Sequence, residues 1–281
     1  MANAIRKVVH LLLLPLLAGC TRQLFQPMEQ HLLDPADYGI IARDIYFRTD
    51  DGVRLHGWFL PARTPEPHGT VLFLHGNAEN ISTHIGSVYW MPEHGYNVFL
   101  FDYRGYGRSE GSPSLAGLQL DFAAALRTVF TNEAVDRDRV AVFGQSLGAA
   151  TAITGLADSP FRRRIRALIV EGAMTSYREV AREKLAEFWL TWPLQWPLSL
   201  TISDRLRPID VIDRIAPVPL LIVHSRDDAI IGVHHAKELY SAAEEPKKLW
   251  LVDEVPHIAA FTVGEERKRL VNYLDERMET D

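Results

Sequence analysis

Short apolar runs alternate with longer mixed segments along most of this chain. Val71 to Leu74, Val98 to Phe101, Val140 to Phe143, Ala167 to Val170, Leu220 to Val223 and Lys248 to Val252 are apolar stretches of strand length. Segments of helix length lie between or after them, near Ile81 to His94, Leu115 to Thr131, Leu147 to Ala157, His235 to Ala243 and Thr262 to Arg277. Strands that are apolar along their whole length are buried on both faces, which requires a mostly parallel sheet covered by helices on either side. Two earlier runs, Asp44 to Thr49 and Leu55 to Leu60, flank Asp50-Asp51-Gly52, a hairpin signal that predicts an antiparallel entry to the sheet. The pattern as a whole predicts an α/β fold with about eight strands.

Two segments break the rhythm. From about Met174 to Ile209 the chain is longer than a simple crossover needs and carries Phe188, Trp189, Trp192 and Trp196 beside Pro193 and Pro197. This reads either as a cap-like insertion over the strand ends, its aromatics facing an apolar substrate or a membrane, or as aromatic packing on the body of the domain. The other segment is the amino terminus. Arg6 and Lys7 precede an apolar run from Val8 to Ala18, too short to span a bilayer and of the right length for a signal-peptide core.

That run ends at Leu17-Ala18-Gly19-Cys20, and Cys20 is the chain's 1 cysteine. The stretch resembles the bacterial lipobox. The resemblance implies a leader over 1–19, a lipid anchor on Cys20, a tether over 20–40 and a catalytic domain over 41–281. Thr21 in the next position is similar to the outer-membrane sorting signal of Gram-negative lipoproteins, which implies a protein of the bacterial cell envelope facing the periplasm. An ordinary signal peptide followed by an incidental cysteine is the other reading.

Composition narrows the classes. At 281 residues the chain can bury a sizeable core, and α/β folds of this length form one domain. Its formal charge is −6, and removal of Arg6 and Lys7 with the leader takes it two lower, to −8. Binding to nucleic acid by phosphate neutralisation is excluded on that balance. A single cysteine leaves no disulfide framework.

Candidate chemistry centres on Gly144-Gln145-Ser146-Leu147-Gly148, where an apolar strand meets a helix-compatible run of small residues. A serine on so sharp a turn is strained, and its neighbours at −2 and +2 must be almost free of side chain for strand and helix to approach. An attacking serine needs a base, an acid to orient the base, and donors for the developing oxyanion. His257 follows the final strand and is the candidate base, fitting the chain order of serine, acid, histidine. Asp227 and Asp228 follow the strand Leu220 to Val223; being adjacent, their side chains diverge and only one can face His257. The amide of Leu147, at a helix amino end, is one oxyanion donor. The loop His75-Gly76-Asn77-Ala78 offers the second, from Asn77 with Ala78 as the alternative.

The glycine-rich loop from Phe101 to Gly111 lacks the spacing of a phosphate-binding loop, so no nucleotide or other cofactor is expected. Asp102 and Arg104 read instead as hydrogen-bonding braces. His234 and His235 have no carboxylate or cysteine at a recognisable ligand spacing, and neighbours on a helix point apart, so no metal is expected.

Taken together, Leu74-His-Gly-Asn-Ala78, Asp102 to Gly111, Gly144 to Gly148, Pro219 to Asp228 and the loop around His257 resemble the α/β-hydrolase superfamily. Within it they are similar to the serine hydrolases that include depalmitoylase-like enzymes. The resemblance implies an α/β-hydrolase fold with a small helical cap and a catalytic set of Ser146, Asp228 and His257. It selects Asp228 because the family's acid falls four residues after a strand-end histidine, here His224. The motifs are poor guides to substrate; the leading expectation is hydrolysis of a carboxylic ester or thioester of a small-molecule or lipid acyl substrate, with another acyl substrate, a lipid or a peptide, as the alternative. Two positions depart from the family pattern: Pro256 precedes His257 where glycine is usual, and Gly232 stands where proline is common. Against catalysis stands a binding scaffold that keeps the fold; a scaffold has no need of three such residues at three strand ends.

Overall fold

The computed structural model describes residues 24–262 and 264–279. Cys20 and the leader lie outside the described residues, as does the beginning of the expected tether. The main sheet has eight strands: β2 (Arg43–Arg48), β3 (Arg54–Leu60), β4 (Gly69–Leu74), β6 (Tyr96–Phe101), β7 (Val140–Gln145), β8 (Ile165–Glu171), β9 (Leu220–Ser225) and β10 (Lys247–Val252). Their order is β10-β9-β8-β7-β4-β6-β3-β2. The hairpin forms as the sequence predicts, with Arg48 opposite Arg54 and β3 antiparallel to both neighbours, while the strands from β6 to β10 run parallel. Gly52 takes φ 86 in the turn, a left-handed conformation open to glycine at little cost. Two short strands, β1 (Gln26–Pro27) and β5 (Ala78–Glu79), pair apart from the main sheet.

Alternation along the central strands sorts their side chains into two cores. Leu72 and Leu74, Val140 and Val142, Leu168 and Val170, and Leu220 and Ile222 face one layer of helices. Val71 and Phe73, Ala141 and Phe143, Ala167 and Ile169, and Leu221 and Val223 face the other. Both sets are buried, which is why these strands read as continuous apolar runs. The helices are α1 (Ile81–His84), α2 (Leu115–Thr131), α3 (Leu147–Ala157), α4 (Tyr177–Glu187), α5 (Gln195–Ser199), α6 (Val233–Ala242) and α7 (Gly264–Met278). On the first face α2 contributes Leu118, Phe122 and Val129, and on the second α7 contributes Leu270, Tyr273 and Leu274.

Three elements differ from the sequence expectation. Ile81 to His94 is not one helix: α1 gives way to a 3-10 turn at Ile85–Ser87 and another at Met91–His94, where Gly86 and Pro92 interrupt helical hydrogen bonding. Inside the insertion α4 forms where the apolar pattern alone marks no helix, in keeping with the small helical cap that the family resemblance implies. Its Ser176 side chain accepts the Glu179 amide, so Ser176-Tyr-Arg-Glu179 was a legible capping signal. Finally, residues 24–40 do not trail away as a tether. Phe25 is buried, the Asn80 side chain donates to the carbonyls of Met28 and Gln30, and His31 reaches Asp102 at 2.9 Å.

Candidate active site

Ser146 sits between the end of β7 and the start of α3 with φ 52 and ψ −111, a conformation that costs about 1–3 kcal/mol outside glycine. The surrounding glycines show what holds it there. A Cβ on Gly144 would lie 2.5 Å from the Gly148 carbonyl oxygen, and one on Gly148 would lie 2.2 Å from that of Leu74. The Ser146 amide donates to the Glu171 carbonyl at 2.8 Å, tying the turn to β8.

Asp228 and His257 come together from separate strand ends. His257 Nδ1 donates to Asp228 Oδ2 at 2.6 Å, despite Pro256 in place of glycine. Asp228 Oδ1 accepts the Ile230 and Ile231 amides at 2.8 and 2.9 Å. Burial acts to raise the Asp228 carboxyl, but the His257 hydrogen bond and those amides outweigh it and hold it below the ordinary carboxylate range. Asp227 turns away to accept the Glu254 amide at 2.8 Å. His224, at the strand end, donates through Nε2 to the Ile231 carbonyl at 2.8 Å and braces the Asp228 loop.

Ser146 opens onto two cavities. One, of about 580 Å³, is lined by Gly76, Asn77, Asp227, Pro256 and His257 among others. The second, of about 310 Å³, is lined by Phe25, Leu115, Met174, Tyr177, Val180 and Ile231, with Gln26, Asn77 and Lys184 among its polar residues. Leu147 lines the second cavity and begins α3, where the first amides of a helix have no partner within the helix. Asn77 borders both cavities. Its side chain is committed elsewhere, donating to the Leu24 carbonyl at 2.5 Å and accepting from the Tyr106 hydroxyl at 3.0 Å. The His75 ring beside it is buried, which pushes its pKa down to about 3 and keeps it neutral.

The family model described as serine aminopeptidase, S33, matches residues 65–215. The chain belongs to this family of α/β-hydrolases. A relative in Escherichia coli O157:H7, the uncharacterised protein YfhR, is 36% identical over 241 residues, covering 83% of this chain and 80% of the relative. The α/β-hydrolase domain-containing protein WAV2 of Arabidopsis thaliana is 34% identical over 224 residues, covering 76% of this chain and 71% of its own. Among solved structures, an esterase of Pyrococcus furiosus superposes with a TM-score of 0.73 at 24% identity, over 91% of this chain and 98% of that one. That likeness establishes the shared fold.

This S33-family member also carries a clamp that the sequence reading passed over. Glu171, at the end of β8, accepts the Gln145 side chain at 2.7 Å and the Ala260 amide at 2.8 Å. Gln145 donates as well to the Ile258 carbonyl at 3.2 Å, so one buried carboxyl joins the turn before Ser146 to the loop after His257. Next to it Gly172 takes φ 61, and a Cβ there would lie 2.8 Å from His257 Cε1. The available signal was Glu171-Gly172, an acid and a glycine closing an apolar strand.

Burial pushes the Glu171 carboxyl up to about 7 from its ordinary 4.5. The unfolded chain releases this proton near the lower value and the folded chain near the higher, so stability falls as pH rises between them. The shift corresponds to about 3 kcal/mol. Burial lowers the pKa of four histidines (His75, His84, His224 and His235) and acts in the opposite sense below their ordinary 6.5, so the effect is read as a difference between proteins. From pH 4 to pH 8, denaturant unfolding of Glu171→Gln is expected to gain about 3 kcal/mol relative to wild type. A pH-independent difference would remove the titration from Glu171.

The bracing role expected of Asp102 and Arg104 is present. Asp102 accepts the Ile81 amide at 3.0 Å besides His31, and Arg104 bonds Asp121 at 2.8 Å and Asp51 at 2.8 and 3.1 Å. The two adjacent histidines do not diverge as a helix surface would have them. His234 and His235 meet Glu183 of α4 at 3.0 and 3.2 Å. Gly232 makes this possible, since a Cβ there would lie 2.7 Å from the His234 ring.

Proposed function

We propose that the protein is a serine hydrolase that cleaves carboxylic esters or thioesters through an acyl-enzyme on Ser146. The observation that carries the reading is the His257–Asp228 hydrogen bond of 2.6 Å, set beside a strained Ser146 on the same cavity. In the proposed reaction His257 Nε2 takes the Ser146 proton as Oγ attacks the carbonyl carbon, and Asp228 holds the other ring nitrogen protonated. The amides of Leu147 and Asn77 donate to the resulting oxyanion. As the tetrahedral adduct collapses, His257 returns the proton to the leaving alcohol or thiol. It then deprotonates a water that attacks the acyl-enzyme and frees Ser146.

The apolar cavity of about 310 Å³ is the place for the acyl chain. The lining by Tyr177, Val180 and Ile231 supports an extended hydrocarbon chain, and the likeness to depalmitoylase-like enzymes makes thioesters the natural second substrate class to assay. Val180→Trp should lower the octanoate-to-acetate turnover ratio of p-nitrophenyl esters about tenfold by removing space for the chain. An unchanged ratio would place the acyl group elsewhere. The family's description names an aminopeptidase and the Pyrococcus protein is an esterase, so amides belong in the same screen. Turnover of amides alone would replace the ester reading.

The same proposal places the protein at the bacterial envelope, held by lipid on Cys20 and facing the periplasm. It rests on the basic start, the short apolar run and the small residues before Cys20. Cells fed an alkyne-labelled fatty acid are expected to label the wild-type chain and not Cys20→Ser. Equal labelling of both would defeat the anchor.

A further inference from the structure

The insertion leaves an apolar surface that neither cavity uses. Between Glu187 and Asp204 there is not one charged side chain. Trp189, Trp192 and Trp196 are 77%, 60% and 61% exposed, and Phe188, Leu190, Leu194, Leu198 and Leu200 are exposed with them. Exposed apolar side chains on a monomer are usually scattered; a run this dense marks a surface that meets something. Tryptophan and leucine on a short, uncharged, partly helical segment have the composition of a membrane-interface element, because the indole favours the headgroup boundary and leucine the acyl region.

We propose that residues 188–200 dock the protein on a phospholipid bilayer, with the mouth of the acyl cavity beside the lipid. The inference deepens the proposed hydrolase reading and rests on its envelope anchor. Position supports it. Tyr177, Val180, Ala181 and Lys184 of α4 line the acyl cavity, and so does Leu24, where the described chain begins. Leu24 lies four positions after Cys20, a reach of at most about 14 Å, so a lipid on Cys20 enters the bilayer close to that cavity. On the flank of α4 away from the cavity, the Arg182 guanidinium lies 4.7 Å from the centre of the Trp196 ring. The Thr191 hydroxyl donates to the Leu185 carbonyl at 2.6 Å. One helix therefore carries the cavity wall on one side and supports the tryptophan segment on the other. The anchor and the aromatic surface form two attachments: the anchor holds the chain at the bilayer, and the surface sets which face of the domain meets it.

Tryptophan fluorescence tests the proposal directly, because Trp58, Trp90 and Trp250 are buried and leave Trp189, Trp192 and Trp196 to report contact with lipid. The full protein is bound to vesicles of phosphatidylcholine and phosphatidylglycerol, with and without bromine on the acyl chains. Bromolipid is expected to lower wild-type emission by about half and to leave a Trp189→Ser, Trp192→Ser, Trp196→Ser variant nearly unaffected. The variant should keep soluble p-nitrophenyl butyrate turnover within about twofold of wild type and lose about tenfold on an ester embedded in the vesicles. Equal wild-type emission on brominated and plain vesicles, with the protein sedimenting on both, overturns the proposal. So does a wild-type dimer that the substitutions dissolve, since a second copy would then cover the surface. If neither protein turns over any ester while quenching persists, the hydrolase reading fails and the surface stands. Quenching that persists in Cys20→Ser supports the proposal, since the surface then meets lipid without the anchor.

Discussion

Replacing Ser146 with alanine is expected to abolish covalent labelling by a fluorophosphonate and to lower kcat/KM for ester hydrolysis by about 10⁴-fold or more. The size follows from the way the proposed residues act as a unit. Without Oγ there is no nucleophile for His257 to activate, and the oxyanion donors and the cavity can then assist only direct attack by water. The fold should tolerate the change. Ser146 is held by backbone, its amide on the Glu171 carbonyl and its own carbonyl accepting from the Ala150 amide at 3.1 Å. An alanine in the same left-handed position keeps both bonds. A melting temperature close to wild type combined with lost labelling is therefore the expected pair of results. Wild-type protein that never labels, or a variant that labels equally, would defeat the proposed mechanism.

The second large effect separates two neighbours. Asp228→Asn is expected to lower kcat by about 10³- to 10⁴-fold, because an amide in place of the carboxylate favours the wrong imidazole tautomer and no longer stabilises the imidazolium. Asp227→Asn should cost less than about tenfold. Its carboxylate accepts the Glu254 amide rather than a ring nitrogen, and an asparagine oxygen can take over that bond. The decisive comparison is kcat for both variants on one ester at one pH. A loss that is larger in Asp227→Asn would reassign the orienting acid.

The Asp227 and Asp228 pair shows where sequence reading ends. The residues alone narrowed the acid to these two positions, and family resemblance chose between them. The structure shows why they differ: the turn after β9 sends one carboxylate toward His257 and the other toward the amide of Glu254. The same limit applies at His234 and His235. Helical spacing says that adjacent side chains part, yet both rings converge on Glu183 because Gly232 opens room beside the helix start and α4 arrives with a carboxylate. Residues 24–32 had no sequence signal at all, since their hydrogen bonds go to Asn77, Asn80, Ser82 and Asp102, far along the chain.

What the sequence by itself determined is the set of local necessities. The parallel sheet follows from strands apolar along their whole length, the entry hairpin from Asp50-Asp51-Gly52, and the turn at Ser146 from two glycines whose absent side chains let strand and helix meet. Each of these depends on neighbours within a few residues. Only the tertiary structure decided that Glu171 clamps the Ser146 turn to the His257 loop, that the start of the described chain walls the apolar cavity beside Ser146, and that the tryptophans of the insertion face outward. Those outcomes depend on where segments distant in sequence come to rest against one another, and that is set by the packing of the whole sheet and its helices.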